Sequence, residues 1–125
     1  MIYYSTTVTG IGAEVPDLLD GGVLILYADG APPALAEISV QHRVDGAVPT
    51  LAPPVGASIF VGDLSTRVSA VGSTAWSKVR ELGHVVLNFN GARLAERPGE
   101  ICVEPCDLMA VRRQMRSGNT IRITD

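Results

Sequence analysis

The sequence predicts a mostly β protein, a single-domain closed or nearly closed β-barrel over residues 1–125 with two or three short helices, with a two-sheet sandwich as the neighbouring solution. Three observations lead there. Short extended segments, several alternating apolar and polar residues, recur along the whole chain. Turn-forming residues, with 13 glycines and 8 prolines among them, separate these segments at close intervals. Helical periodicity is confined to a few brief stretches.

Strands are expected at residues 2–8, 23–28, 37–44, 58–61, 66–71, 84–89, 101–103 and 120–123. The breaks between them are chemically sensible. Asp20-Gly21-Gly22, Asp29-Gly30-Ala31-Pro32-Pro33, Pro53-Pro54-Val55-Gly56, Asn90-Gly91 and Pro98-Gly99 all favour turns. A first helical turn at 15–19 is limited by Pro16. A second helix follows Ser73 or Thr74 as cap and runs to Gly83, with Trp76, Val79 and Leu82 as its inward edge. Asp107 can cap a third, over 108–115, with Leu108, Val111 and Met115 inward. No internal repeat, low-complexity tract or linker is evident, so one compact unit is expected.

Composition narrows the function. A net charge of -3, with ten basic residues scattered rather than striped, argues against direct nucleic-acid binding. The run Gly22–Ala28 is far shorter than the ~20 residues that span a bilayer. The start, Met1-Ile2-Tyr3-Tyr4-Ser5, lacks the basic and apolar regions of a signal peptide, so a cytoplasmic protein is expected. Cys102 and Cys106 are then expected as free thiols. With His42 and His84 they make a formal Cys2His2 set, but the histidines are not an H-x3-5-H pair, and packing is the expected role. No nucleotide-binding loop, serine elbow or H-E-x-x-H pair occurs.

The two histidines are the candidates for chemistry. Ile38, Val40, His42 and Val44 share parity, so a strand sets the His42 imidazole on its apolar face. Spacing alone leaves two accounts open: a core histidine satisfied by hydrogen bonds, or a nucleophile in a dry wall. His84 follows Gly83 at a strand mouth, where it could meet a group from another strand and share a pocket with His42. The Gly72-Ser73-Thr74 turn before a helix is a candidate phosphate cradle through its amide groups.

The stretch Asp29-Gly30-Ala31-Pro32, then Leu35, Glu37 and His42, with Val68-Ser69-Ala70-Val71-Gly72-Ser73 and Arg80-Glu81-Leu82-Gly83-His84-Val85, resembles the glucitol/sorbitol-specific IIA component of the bacterial phosphoenolpyruvate-dependent sugar phosphotransferase system. Thr6–Gly12 and Arg97-Pro98-Gly99 extend the resemblance over nearly the whole chain in order. It implies a small, mostly β barrel in which His42 accepts a phosphoryl group. The donor would be the histidine-containing phosphocarrier protein, and the acceptor the IIB cysteine of a membrane sorbitol or hexitol permease with its IIB and IIC components. His84 is then expected to hydrogen-bond phosphate or set the His42 ring. The chain departs from the family pattern at Arg43, Val44 and Lys78.

The chemistry suits that role. An imidazole of ordinary pKa ~6.5 offers a neutral lone pair near pH 7 and is a good leaving group from phosphorus. Val40 and Val44 would exclude water and favour relay over hydrolysis. Arg43 could pair with an acidic partner. No metal, nucleotide or organic cofactor is expected, and the protein would visit the inner face of the membrane only transiently. The competing reading is a non-catalytic regulatory or binding barrel of the same fold. Self-association through free strand edges stays open.

Overall fold

The computed structural model describes the whole chain, Met1–Asp125. Its elements are β1 (Ile2–Ile11), α1 (Val15–Asp20), β2 (Val23–Ala28), α2 (Pro33–Ala36), β3 (Ser39–Val44), β4 (Ser58–Val61), β5 (Leu64–Val71), α3 (Ala75–Leu82), β6 (Val85–Asn88), β7 (Glu100–Val103), α4 (Leu108–Gln114) and β8 (Thr120–Thr124). The strands close into one barrel in the order β1-β3-β2-β6-β7-β5-β4-β8, with β8 returning to β1. Closure leaves no free sheet edge. The pairs β2/β3 and β6/β7 are parallel and the rest antiparallel.

Strand alternation builds the core. Tyr4, Thr6 and Val8 of β1, Leu24 and Leu26 of β2, Val40 and His42 of β3, and Val85 and Leu87 of β6 are all buried. Ile59, Val61, Ile101, Val103, Ile121 and Ile123 complete the lining. Each large apolar side chain contributes roughly 1.5–3 kcal/mol by leaving water. The helices close the mouths: α1 buries Val15 and Leu19 where β2 starts, and α3 buries Ala75, Trp76 and Val79 where β2 ends. No helix is long and apolar enough to cross a membrane.

The expected strands are all present, four helices form where two or three were expected, and local details differ. β1 continues to Ile11, because its pairing with β3 runs on past a bulge between Val8 and Gly10. Pro32 and Pro33, expected as a turn, start α2 instead, with Pro32 at the N-cap and its carbonyl accepting from Leu35 and Ala36. Thr74 is the N-cap of α3 but makes no side-chain cap bond, whereas Asp107 accepts from the Met109 and Ala110 amides as expected. Leu82 stays 41% exposed, since it is the last helical residue before Gly83 turns the chain.

The larger correction concerns repetition. The register Val8↔His42, Gly10↔Gln41, Ile11↔Val40 of β1/β3 recurs as Val68↔Val103, Ala70↔Cys102, Val71↔Ile101 of β5/β7, each with its bulge at the same place. The parallel pairs correspond too, Ile25↔Ser39 with Val86↔Glu100. Gly12 donates to the Ser39 carbonyl and Gly72 to that of Glu100. At both glycines a Cβ would come within 2.3 Å of a backbone carbonyl oxygen, of Ala36 and Glu37 at one and of Pro98 at the other. The barrel is therefore an internal repeat with a pseudo-two-fold axis through the β2/β6 and β4/β8 pairings. The letters carry the repeat as well: residues 5–12 and 65–72 share Ser5/Ser65, Thr6/Thr66, Val8/Val68 and Gly12/Gly72, and Gly30-Ala31 corresponds to Gly91-Ala92.

Candidate functional site

His42 lies on β3 between Val8 of β1 and Ala28 of β2, with its ring turned into the barrel and 0% of the residue exposed. Nδ1 lies 3.4 Å from the Val40 carbonyl oxygen. A carbonyl only accepts, so Nδ1 carries the ring proton. Nε2 therefore presents its lone pair, and the Tyr4 hydroxyl donates to it at 2.6 Å. Both nitrogens of a buried imidazole are thus satisfied.

The cover over this pair comes from α3. Tyr4 meets His42 edge to face at 5.5 Å between ring centroids and meets Trp76 of α3 at 6.3 Å. Trp76 is held in turn by its indole N–H, which donates to the Pro49 carbonyl at 2.9 Å. Gly83, the left-handed C-cap of α3, seats against the same hydroxyl. A Cβ there would stand 2.9 Å from Tyr4 Oη and 2.5 Å from the Ala28 methyl.

Burial pushes the His42 imidazole below its ordinary 6.5, opposed by the Val40 carbonyl and the charge of Asp29. The ring is neutral at pH 7. Burial also raises the Tyr4 phenol above its usual range, so it remains a donor rather than a phenolate. Asp29 follows β2 directly, its amide donating to the His42 carbonyl at 2.9 Å and its carboxylate accepting from Thr9.

His84 is elsewhere. Its Nδ1 donates to the Leu26 carbonyl at 3.1 Å and its half-buried ring lies against Tyr27, whose centroid is 5.0 Å away. Tyr27 alternates with the inward Leu26, so His84 is on the outer side of β2 and His42 on the inner side. No hydrogen bond or ring contact joins the two histidines. The His42 ring is oriented by Tyr4 and Val40, in place of the His84 contact expected from the sequence.

The Gly72-Ser73-Thr74 turn also spends its donors internally. The Gly72 amide goes to Glu100 and that of Thr74 to Pro98, which leaves the Ser73 amide alone. Gly72 and Ser73 line a groove of about 340 Å³ with Val71, Leu94, Ala95, Glu96 and Pro98. Its one ionisable lining residue is acidic, which disfavours phosphate, and it shares no residue with the His42 surroundings. Arg43 is occupied as well, pairing with Asp45 at 2.8 Å and donating to Thr7. Both cysteines are free thiols, Cys102 buried and hydrogen-bonded to Glu100.

Against this geometry, comparison with known proteins is decisive. The model of the family described as PTS system glucitol/sorbitol-specific IIA component matches residues 3–122. The chain belongs to that family. The glucitol/sorbitol-specific EIIA components of Shigella flexneri and Escherichia coli (strain K12) are each 40% identical to this IIA chain over 102 residues, covering 82% of it and 81% of the relative. The crystal structure of a PTS system IIA component from Enterococcus faecalis V583 shares the fold, with a TM-score of 0.71 at 21% identity over 97% of this chain and 99% of that one. This IIA component is therefore a phosphocarrier of a sugar phosphotransferase system and works with other proteins of that system.

Sequence reasoning singled out His42 and its inward parity and missed what holds the ring. Tyr4, Thr6 and Val8 share the inward parity of β1, which was a legible signal for Tyr4. That its hydroxyl meets β3 at His42 depends on strand order.

Proposed function

We propose that this IIA component carries its phosphoryl group on His42, taking it from the histidine-containing phosphocarrier protein and passing it to the IIB cysteine of a sorbitol or related hexitol permease. The observation that supports the reading is the state of the ring. It is neutral, its proton is fixed on Nδ1, and the Nε2 lone pair is held only by one hydroxyl. Such a nitrogen attacks phosphorus without a separate base. Imidazole then leaves readily when the thiolate of the next carrier attacks in line, so the protein's task is positioning and charge stabilisation.

Burial assigns the partners a task as well. With the ring covered by Tyr4 and the end of α3, docking must shift that cover, and between encounters the same cover keeps water from the N–P bond. Donor and acceptor would use this end of the barrel in turn, each through a modest, transient interface. This reading sets its work in the cytoplasm, transiently beside the membrane permease.

One observation favours a second reading. His84 keeps part of its ring at the surface with only Nδ1 hydrogen-bonded, so it is the more accessible of the two imidazoles. Incubation with phosphoenolpyruvate and the two general phosphotransferase proteins separates the cases. The expected result is an acid-labile, alkali-stable mass gain that His42→Ala abolishes and His84→Ala keeps. A gain lost only in His84→Ala reassigns the acceptor, and none on the wild type favours a non-catalytic barrel.

A further inference from the structure

The geometry points to Tyr4 as the positioning residue of the transfer: its hydroxyl fixes which nitrogen of His42 reacts, caps that nitrogen at rest, and turns to the phosphoryl group once it arrives. This rests on the His42 relay reading. Three contacts carry it. The Val40 carbonyl holds the proton on Nδ1, the Tyr4 hydroxyl donates to Nε2 at 2.6 Å, and Gly83 leaves room over that hydroxyl which any side chain would fill. Tyr4 belongs to β1 and His42 to β3, both fixed in the barrel wall, so the hydroxyl returns to one place after each turnover.

The step balances without a moving proton. The Nε2 lone pair forms the new N–P bond as the donor phosphohistidine, protonated on its other ring nitrogen, loses its own. The donor ring keeps the bonding electron pair and leaves neutral. Positive charge passes to the His42 ring, whose Nδ1–H stays on the Val40 carbonyl, and the nearby Asp29 carboxylate favours that charge. The lone pair that Tyr4 capped is now in the N–P bond. Its hydroxyl, still protonated, has a charged phosphoryl oxygen one bond farther out to donate to.

The test uses the full-length chain, wild type and Tyr4→Phe, which keeps the ring packed on Trp76. Ring nitrogen resonances of His42 should show Nδ1–H and a hydrogen-bonded Nε2 in the wild type, and an Nε2 moved toward the free lone-pair position in Tyr4→Phe. With phosphoramidate as a small donor, the wild type should carry its phosphoryl group on Nε2. Tyr4→Phe should be labelled faster, its nitrogen being uncapped, yet lose the label roughly tenfold sooner, as expected for one missing hydrogen bond to a charged acceptor. A wild-type ring protonated on Nε2, or phosphorylated on Nδ1, overturns the assignment whatever the variant does. So do unchanged resonances and label lifetime in Tyr4→Phe. Absence of phosphohistidine on the wild type, with phosphoramidate and with the general phosphotransferase proteins, overturns relay and Tyr4 together. A labelled wild type with an unaffected variant overturns Tyr4 alone.

Discussion

Two buried groups, His42 and Glu100, give stability contributions that separate with pH. The His42 imidazole is pushed below 6.5 in the folded chain, so on acidification the unfolded chain takes up that proton first. The neutral ring's contribution to stability is therefore full above about pH 6.5 and is lost as pH falls from there through the depressed folded value. Glu100 acts lower. Burial pushes its carboxyl up, but the Arg97 amide, the Asn88 side chain, the Glu96 amide and the Cys102 thiol together pull it below 4.5. Its contribution is present above 4.5 and lost as pH falls through its lower folded value. Urea titrations from pH 8 to 3 should show stability falling in these two separate windows. His42→Gln should flatten the first and Glu100→Gln the second, and a single unbroken slope in the wild type would contradict the assignment.

At the scale of the element, α3 is what covers Tyr4 and His42 at one end of the barrel. Trp76 and Val79 anchor it, Trp76 packs on Tyr4, and Gly83 ends it in the left-handed region at φ 63° against Ala28 and Tyr4. Gly83→Ala meets both the φ penalty and a 2.5 Å contact with a wall methyl, so a loss of about 1–3 kcal/mol is expected. Leu82→Ala, one residue earlier but 41% exposed, should stay within roughly 1 kcal/mol of wild type. Chemical denaturation of the two variants compares them directly, and equal losses would mean that Gly83 is not seated as described. The start of this helix was legible in Trp76 and Val79, and its end in Gly83. Leu82 continues the apolar spacing and still lies exposed, because apolar spacing does not report where the core stops.

The whole molecule is two similar halves closed on each other. Its ends meet: the Met1 amino group is 2.9 Å from the Asp125 carboxylate, and β8 pairs with β1 as β4 pairs with β5. The pseudo-two-fold axis relates the gap between the chain ends to the turn Gly62-Asp63 between β4 and β5. Joining the ends by a short linker and opening the chain at that turn keeps every strand pair. Such a permutant should fold to the same far-ultraviolet spectrum, be phosphorylated as the parent is, and lie within roughly 2 kcal/mol of the parent. Failure to fold would mean that the β4–β5 turn does more than join two strands. The halves differ at His42, whose register position in the second half is Val103.

Strand positions, the helix limits at Gly83 and Asp107, the barrel class and the inward parity of His42 are all legible in the letters alone. All of these follow from local chemistry: alternation, capping and turn preference act between residues a few positions apart. That Tyr4 caps Nε2, that His84 stands on the other side of β2, and that the Gly72 and Thr74 amides are spent on the 97–100 loop come only with the folded chain. Those relations join residues far apart in the chain, and strand order and register set them. The repeat is partly written in the letters, in the Ser-Thr-x-Val of residues 5–8 and 65–68, and strand register makes it plain. Its constraint falls on backbone at Gly12 and Gly72, where a side chain will not fit, while most other positions in the two halves are free to differ.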